Sequence, residues 1–356
     1  MSDTLRLAVR RYAQAVLPPI VAQAERRRRF PRGVMRQCAR LGFLSLDPCQ
    51  CAIVAQELPR CDSLGLALGV FVQLNLVAPL LDRLGTAEQK REWLAPLLRG
   101  TMIGAMAVTE PHAGSDYAAL RTQATQKRGQ TVLNGTKTYV TCANAAQLLI
   151  VAAREAGGLS LFLVPRDAPG ARVTPLSMLG LYPSDPGRIE LKNCRLPRTS
   201  RLGERGAGFG YIQQALNRER LLGGLACVAW AQHAMARTIA FARERIAFGR
   251  PLTRIAVIRH QFAEMATTLE AAHQLNQAVF TRWADGQDMT KEICMIKLFS
   301  YQAAQHAIDR CVQIHGGAGY LDESWIARFY RDARALTIAA GTPEIMKEVI
   351  AASMRL

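Results

Sequence analysis

The chain has 356 residues, 49% of them apolar, enough for large buried cores and more than one domain. Lysine and arginine number 45 against 28 aspartates and glutamates, a net charge of +17. A field of that sign draws polyanions, namely phosphate-bearing cofactors, an acidic carrier protein or nucleic acid, and nine scattered cysteines without a pairing rhythm speak against a disulfide scaffold.

Residues 3–102 read mainly as helix. Leu5, Val9, Tyr12 and Val16 fall on one helical face, and Pro18-Pro19 is expected to interrupt it. The basic run 26–29 reads as a solvated helix end. A second amphipathic helix is expected over 30–44, closed near Gly42, and further helices over 51–58 and 64–84, the last apolar enough to be buried. No apolar run is read as approaching the ~18 residues of a membrane span. No secretory signal opens the chain, so a cytoplasmic protein with free thiols is expected. Thr86 with Gln89 three residues on forms a capping box. Cys49-Gln50-Cys51 is too tight for a zinc knuckle, and no His-x-x-x-His pair is present, so no metal is expected.

Over 103–200 the pattern changes. Strand-like runs recur at 103–109, 131–133, 138–140, 148–152, 159–164 and 188–191. Turn signals separate them, among them Asn134-Gly135 and Gly157-Gly158. From Gly208 the chain is helical again, near 209–246, 255–285, 289–315 and 343–353. The expected class is α+β multidomain, with an N-terminal all-α domain (1–102), a middle β domain (103–200) and a C-terminal four-helix-bundle domain (201–356).

Two strings carry chemistry. Residues 105–119 read Ala-Met-Ala-Val-Thr-Glu-Pro-His-Ala-Gly-Ser-Asp-Tyr-Ala-Ala. Val108 and Thr109 offer a hydroxyl and backbone against which a flat polar ring could dock. Gly114 permits a close backbone approach before Ser115-Asp116. About two hundred residues later comes Gln313-Ile314-His315-Gly316-Gly317-Ala318-Gly319-Tyr320, followed by Glu323, Arg328 and Asp332. Together, and in this order, the strings resemble the two signatures of the acyl-CoA dehydrogenase flavoprotein family. The likeness covers almost all of residues 3–353.

That resemblance implies FAD and a homodimer or homotetramer. It implies that Val108 and Thr109 face the flavin ring, with Tyr139 and Thr141 of Lys137-Thr138-Tyr139-Val140-Thr141 beside it. Arg245 and Phe248 match the family's Arg-x-x-Phe-Gly element, whose guanidinium meets a pyrophosphate, commonly a neighbouring subunit's. Gln313, Gly316 and Gly317 would approach the same anion, and Thr342 and Glu344 match the late flavin-adenine segment. By alignment Ala256 stands where the family has a glutamine, which removes a dinucleotide contact and is expected to weaken FAD binding.

The reaction implied is α,β-dehydrogenation of an acyl thioester, with an α proton going to a carboxylate and a hydride to flavin N5. Many relatives carry that base just before Gly-Thr, where this chain has Ala340. The isovaleryl and long-chain branches place it instead in a Glu-Arg-Leu element, which Glu219-Arg220-Leu221 matches. Glu219 is therefore the expected base. The competing reading is an exposed helix carboxylate paired with Arg218 or Arg220. Arg220 matches an arginine that supports the active-site helix, and the Ala340 N–H would polarise the thioester carbonyl. Ser115 and Asn217 would lie along the substrate's path.

The thioester is expected on coenzyme A or on an acidic carrier protein, with an electron-transfer flavoprotein as an acceptor. Alternatives on the same fold are a DNA-associated flavoprotein and a flavin monooxygenase. The chain lacks the extra C-terminal helical region of the DNA-associated branch, so nucleic acid is not the expected partner. Asp47-Pro48-Cys49-Gln50 stands where relatives carry a longer loop that shapes the acyl pocket.

Overall fold

The computed structural model describes residues 2–356. Helical segments open the chain: α1 (Ser2–Arg11), α2 (Leu17–Arg27), α3 (Gly33–Arg40), α4 (Pro48–Glu57), α5 (Leu64–Val72), α6 (Ala78–Leu84), α7 (Ala87–Gln89) and α8 (Ala95–Leu98). Pro18 and Pro19 do not break the first run as expected. A π-helical turn over Tyr12–Val16 shifts the hydrogen-bond ladder, and the prolines fall in the first turn of α2, where a missing N–H is tolerated. The helix expected over 30–44 is shorter. Arg28 ends α2 in the left-handed region, Phe30 drops into the core, and α3 begins only at Gly33. Asp47 caps α4, Ser63 caps α5, and the Thr86–Gln89 capping box forms as read.

One expectation is corrected outright. The continuous helical stretch Leu64–Leu84 is 21 residues long and holds an 18-residue window with a mean hydropathy of 2.0, long and apolar enough to cross a membrane. It packs inside the protein, with 89% of that apolar window buried, and is the central core helix of the N-terminal region. Its hydrophobic effect is satisfied by protein on all sides.

The middle of the chain is an eight-stranded sheet. Its strands are β1 (Gly104–Ala107), β2 (Gln123–Lys127), β3 (Gln130–Val140), β4 (Leu148–Glu155), β5 (Gly158–Pro165), β6 (Ala171–Pro175), β7 (Gly187–Pro197) and β8 (Arg201–Leu202). The order is β6-β7-β3-β2-β4-β5-β8, with β1 parallel on β4. Asn134-Gly135, read as a turn, is instead a bulge inside the single strand β3. The register against β7 shifts there, Gly135 takes φ +154°, and the Asn134 side chain accepts the Asn193 N–H. Strands β2 and β6 escaped the sequence reading because their polar residues alternate weakly.

The last third is helical: α9 (Gly208–Glu244), α10 (Ala256–Ala284), α11 (Thr290–His315), α12 (Trp325–Leu336) and α13 (Pro343–Ser353), with a small antiparallel ribbon of β9 (Ile246–Ala247) and β10 (Arg250–Pro251) between α9 and α10. Helix α12 was not foreseen. Helix α9 lies between α4 and α11, and two of its glycines set how close α11 comes. A Cβ on Gly223 would strike the Tyr301 hydroxyl, and one on Gly224 would strike Ile296. That close approach presents one face of α11 to Glu219, which stands one turn earlier on α9. All nine cysteines are unpaired, as the sequence reading had it.

Candidate active site

Glu219 faces a cavity of about 80 Å³ enclosed by α5, α9, α11 and the Ala339–Ala340 loop. Its walls are mostly apolar, among them Ala67, Phe71, Leu74 and Ala226. Glu219 is only partly exposed and forms no ion pair among the described residues. Burial pushes its carboxyl above the ordinary carboxylate range, while Lys297 and Arg220 pull it back. A carboxylate in that setting has the basicity that proton abstraction beside a carbonyl requires.

Lys297 was missed by the sequence reading. It is 4% exposed, lines the same cavity, donates to the Leu336 carbonyl and lies 3.7 Å over the Tyr301 ring. Burial lowers its ammonium to about 7, with Glu219 acting in the opposite sense. A signal was present, since Ile293, Ile296, Lys297 and Ser300 mark the buried stripe of α11 and a lysine there is anomalous.

Arg220 is buried and committed elsewhere. Its Nε donates to the Ala340 carbonyl at 2.8 Å and its Nη1 to Asn217 Oδ1 at 3.1 Å, and Asn217 Nδ2 donates in turn to Thr290 at 3.2 Å. Ala340 sits at φ +57°, a conformation a non-glycine residue holds only under constraint, and the arginine supplies that constraint. The Ala339 N–H bonds back to Ala335, whereas that of Ala340 has no acceptor among the described residues. Glu219 and Ala340, 121 positions apart in the sequence, thus line one cavity.

The first signature folds around a buried ion pair. Lys137, fully buried, donates to the Val108 carbonyl and to Glu110 Oε1, both at 2.8 Å. Glu110 also accepts the Arg121 N–H at 2.7 Å and the Thr122 N–H at 2.9 Å. Burial alone would raise the Glu110 carboxyl, but these donors outweigh it and hold it at about 2. The Thr138 N–H then bonds the Thr109 carbonyl at 2.9 Å, which joins the two segments expected at the flavin. Just beyond, the β3–β7 register slips and Tyr139 takes φ +57°, so its ring stands 62% exposed beside half-buried Thr141. Val108, Thr109, Tyr139 and Thr141 are therefore brought together.

A second group gathers at the end of α9. The Phe241 ring stacks on His315 at 4.1 Å, which joins the end of α9, just before Arg245, to the end of α11, just before Gly316 and Gly317. Phe248 is 95% exposed at φ +51°, and a Cβ on Gly316 or Gly317 would meet nothing within 4 Å. Thr342 and Glu344 open α13. Ser115 is exposed, two residues before Tyr117, whose ring stacks on Phe209 at 4.9 Å. An exposed aromatic held outward, open glycine backbone and an exposed arginine fit a flavin dinucleotide. They are the groups that would stack on its ring and meet its pyrophosphate.

Comparison with known proteins covers the whole chain. Residues 2–101, 105–194 and 206–355 match the family models for the N-terminal, middle and C-terminal domains of acyl-CoA dehydrogenase. The mitochondrial short-chain specific acyl-CoA dehydrogenase of Mus musculus is 34% identical over 365 aligned residues, covering 98% of this chain and 88% of that protein. An acyl-CoA dehydrogenase structure from Geobacillus kaustophilus superimposes with a TM-score of 0.96 at 30% identity, covering 100% of this chain and 98% of the other. A glutaryl-CoA dehydrogenase from Mycobacterium smegmatis in complex with FADH2 does so at 0.94 and 26%, covering 99% and 94%. A prolyl acyl carrier protein oxidase does so at 0.94 and 28%, covering 100% and 99%.

Proposed function

The chain belongs to the acyl-CoA dehydrogenase family, and from that premise we propose that it is an FAD-dependent α,β-dehydrogenase of an acyl thioester with Glu219 as the base. As a member it is an oxidoreductase acting on CH–CH groups. The observation that carries the finer reading is the cavity itself. Its lining combines a carboxylate of raised basicity with Ala340, whose N–H has no acceptor among the described residues, in mostly apolar walls, and this supports the reading.

In this reading the acyl chain lies among the side chains of α4 and α5. The Ala340 N–H donates to the thioester carbonyl and stabilises the enolate-like charge that develops there. Glu219 takes the α proton. Arg220 holds Ala340 in its constrained conformation, and Lys297 opposes the desolvation of Glu219 without touching it. FAD, when bound, supplies the acceptor for the β hydride. Tyr139 and Thr109 would hold its ring edge, while Arg245, Phe248 and Gln313 would serve a neighbouring copy's dinucleotide, which would make the working unit at least a dimer. An electron-transfer flavoprotein would be a fitting acceptor for electrons held by that cofactor.

The carrier of the acyl group is coenzyme A or an acidic carrier protein. The +17 charge and the likeness to a carrier protein oxidase support the second. Anaerobic bleaching of the flavin by a panel of CoA and carrier-protein thioesters tests both. Purified protein is expected to hold FAD, or to take it up on reconstitution. Absence of flavin absorbance under both conditions overturns the reading. A carrier-bound substrate should lose second-order rate steeply as salt shortens the screening length below ~10 Å, whereas an acyl-pantetheine analogue should barely respond. A clear preference for free acyl-CoA at low salt removes the carrier-protein version. A mobility-shift assay with DNA is the control for the DNA-associated alternative.

A further inference from the structure

Tyr301, on α11, is a large side chain in the wall of the cavity that Glu219 faces, and it is buried. Its hydroxyl donates to the Arg220 carbonyl on α9 at 3.2 Å, and the Lys297 ammonium lies 3.7 Å over its ring. Burial raises the phenol well above its ordinary range, so the hydroxyl stays protonated and donating. The ring is thus held at its tip and on its face. Beside the tip is Gly223, one turn after Glu219 on α9 and part of the same wall. A Cβ there would strike the Tyr301 hydroxyl and would stand 3.8 Å from Phe71 Cζ, and Phe71, on α5, lines the cavity as well. Glycine weakens a helix interior, and at this position it makes the room that the phenol fills.

The space left beside the ring is small. The cavity holds about 80 Å³. With ~30 Å³ for each methyl-sized group, taking the volume of a water as the measure, it admits roughly three of them. The apolar wall nevertheless runs on past Gly223 to Ala226 and Cys227 along α9, and across to Leu64 and Leu181. The wall is longer than so small a volume needs, because the phenol occupies part of what it encloses. We propose that Tyr301, seated against Gly223, is the residue that limits the acyl group, holding the protein to thioesters of about four carbons, the carbonyl and roughly three groups beyond it. The inference rests on the thioester reading and narrows its substrate class.

The test uses the FAD-loaded protein with butyryl-, hexanoyl- and octanoyl-pantetheine, whose arm is common to coenzyme A and a carrier protein. Wild type is compared with Tyr301→Ala, Tyr301→Leu and Tyr301→Phe. The readout is the ratio of kcat/KM for hexanoyl over butyryl, because a general loss of packing moves all substrates together and leaves a ratio in place. An apolar pocket discriminates by ~10–200-fold per methylene, so Tyr301→Ala should raise the ratio at least ~10-fold. Tyr301→Leu should raise it less, and it carries the test if the alanine variant does not fold. Tyr301→Phe keeps the bulk of the ring and should keep the ratio near that of wild type. Gly223→Ala presses on the phenol and should lower the ratio, an effect that should vanish in the Tyr301→Ala background. An unchanged ratio in both the Ala and Leu variants overturns the proposal. So does an equal rise in Tyr301→Phe, or a wild type that already prefers octanoyl. Calorimetric binding of S-butyl- and S-hexyl-pantetheine, thioethers without a carbonyl, needs no turnover. If no thioester reduces the flavin, the dehydrogenase reading fails by itself, and a gain in hexyl-over-butyl binding on Tyr301→Ala still supports the limit. The same preference in wild type and variant sinks it.

Discussion

Glu219→Gln is expected to retain FAD and to slow anaerobic flavin reduction by ~10²–10⁴-fold, the range typical of general-base catalysis. The amide keeps the shape of the side chain and cannot accept the α proton. Ala340→Glu in that background should recover part of the rate, with altered chain preference, because it returns a carboxylate to the other side of the same cavity. The pH profile gives an independent reading. Burial raises the Glu219 carboxyl and Lys297 lowers it, so removing the lysine charge raises it further. The rate rises with pH as the base ionises. In Lys297→Met that ascending limb should therefore move to higher pH, while Lys297→Arg should leave it nearly in place. Undiminished reduction in Glu219→Gln puts the base elsewhere, and an unmoved limb in Lys297→Met removes the lysine's role.

Lys137→Met is expected to have the largest effect on stability. Removing one partner of a buried, hydrogen-bonded ion pair costs about 3–5 kcal/mol, because the other charge stays buried without compensation. Here the loss also strips the Val108 carbonyl of its donor, next to the proposed flavin contact. Denaturant unfolding of the two proteins measures it. The acid limb carries a second readout. Glu110 titrates near 2 in the folded state, below the ordinary carboxylate value, so its contribution is present above that ordinary value and disappears as pH falls toward 2. Without Lys137 its folded-state value rises, and unfolding should begin at a higher pH. A variant as stable as wild type, with an unchanged acid limb, would show that the pair is dispensable.

Much of this was legible in the chain itself. The Thr86–Gln89 box, the long terminal helices and the β character of the middle third rest on local rules, and the structure has them. The failures are equally physical. Asn134-Gly135 carries a strong turn signal, but pairing with β7 on both sides of it keeps β3 continuous and turns the pair into a bulge. Leu64–Leu84 is apolar enough for lipid, and only the helices around it decide that it faces protein. Strands β2 and β6 are defined by the neighbours they pair with rather than by their own residues.

The candidate site divides in the same way. Sequence alone determined the family resemblance, through two ordered motifs, and pointed to Glu219 as the carboxylate replacing one absent at Ala340. Such motifs are local strings, and local strings survive without knowledge of the fold. What only the tertiary structure decided is which distant residues share a space. It set Lys297 beside Glu219 in one cavity and tied Arg220 to Ala340. These relations depend on the close packing of α9 and α11 at Gly223 and Gly224, and on burial, which turns ordinary charges into shifted ones. Burial belongs to the assembled core and to no single residue, so it could not be read from the chain.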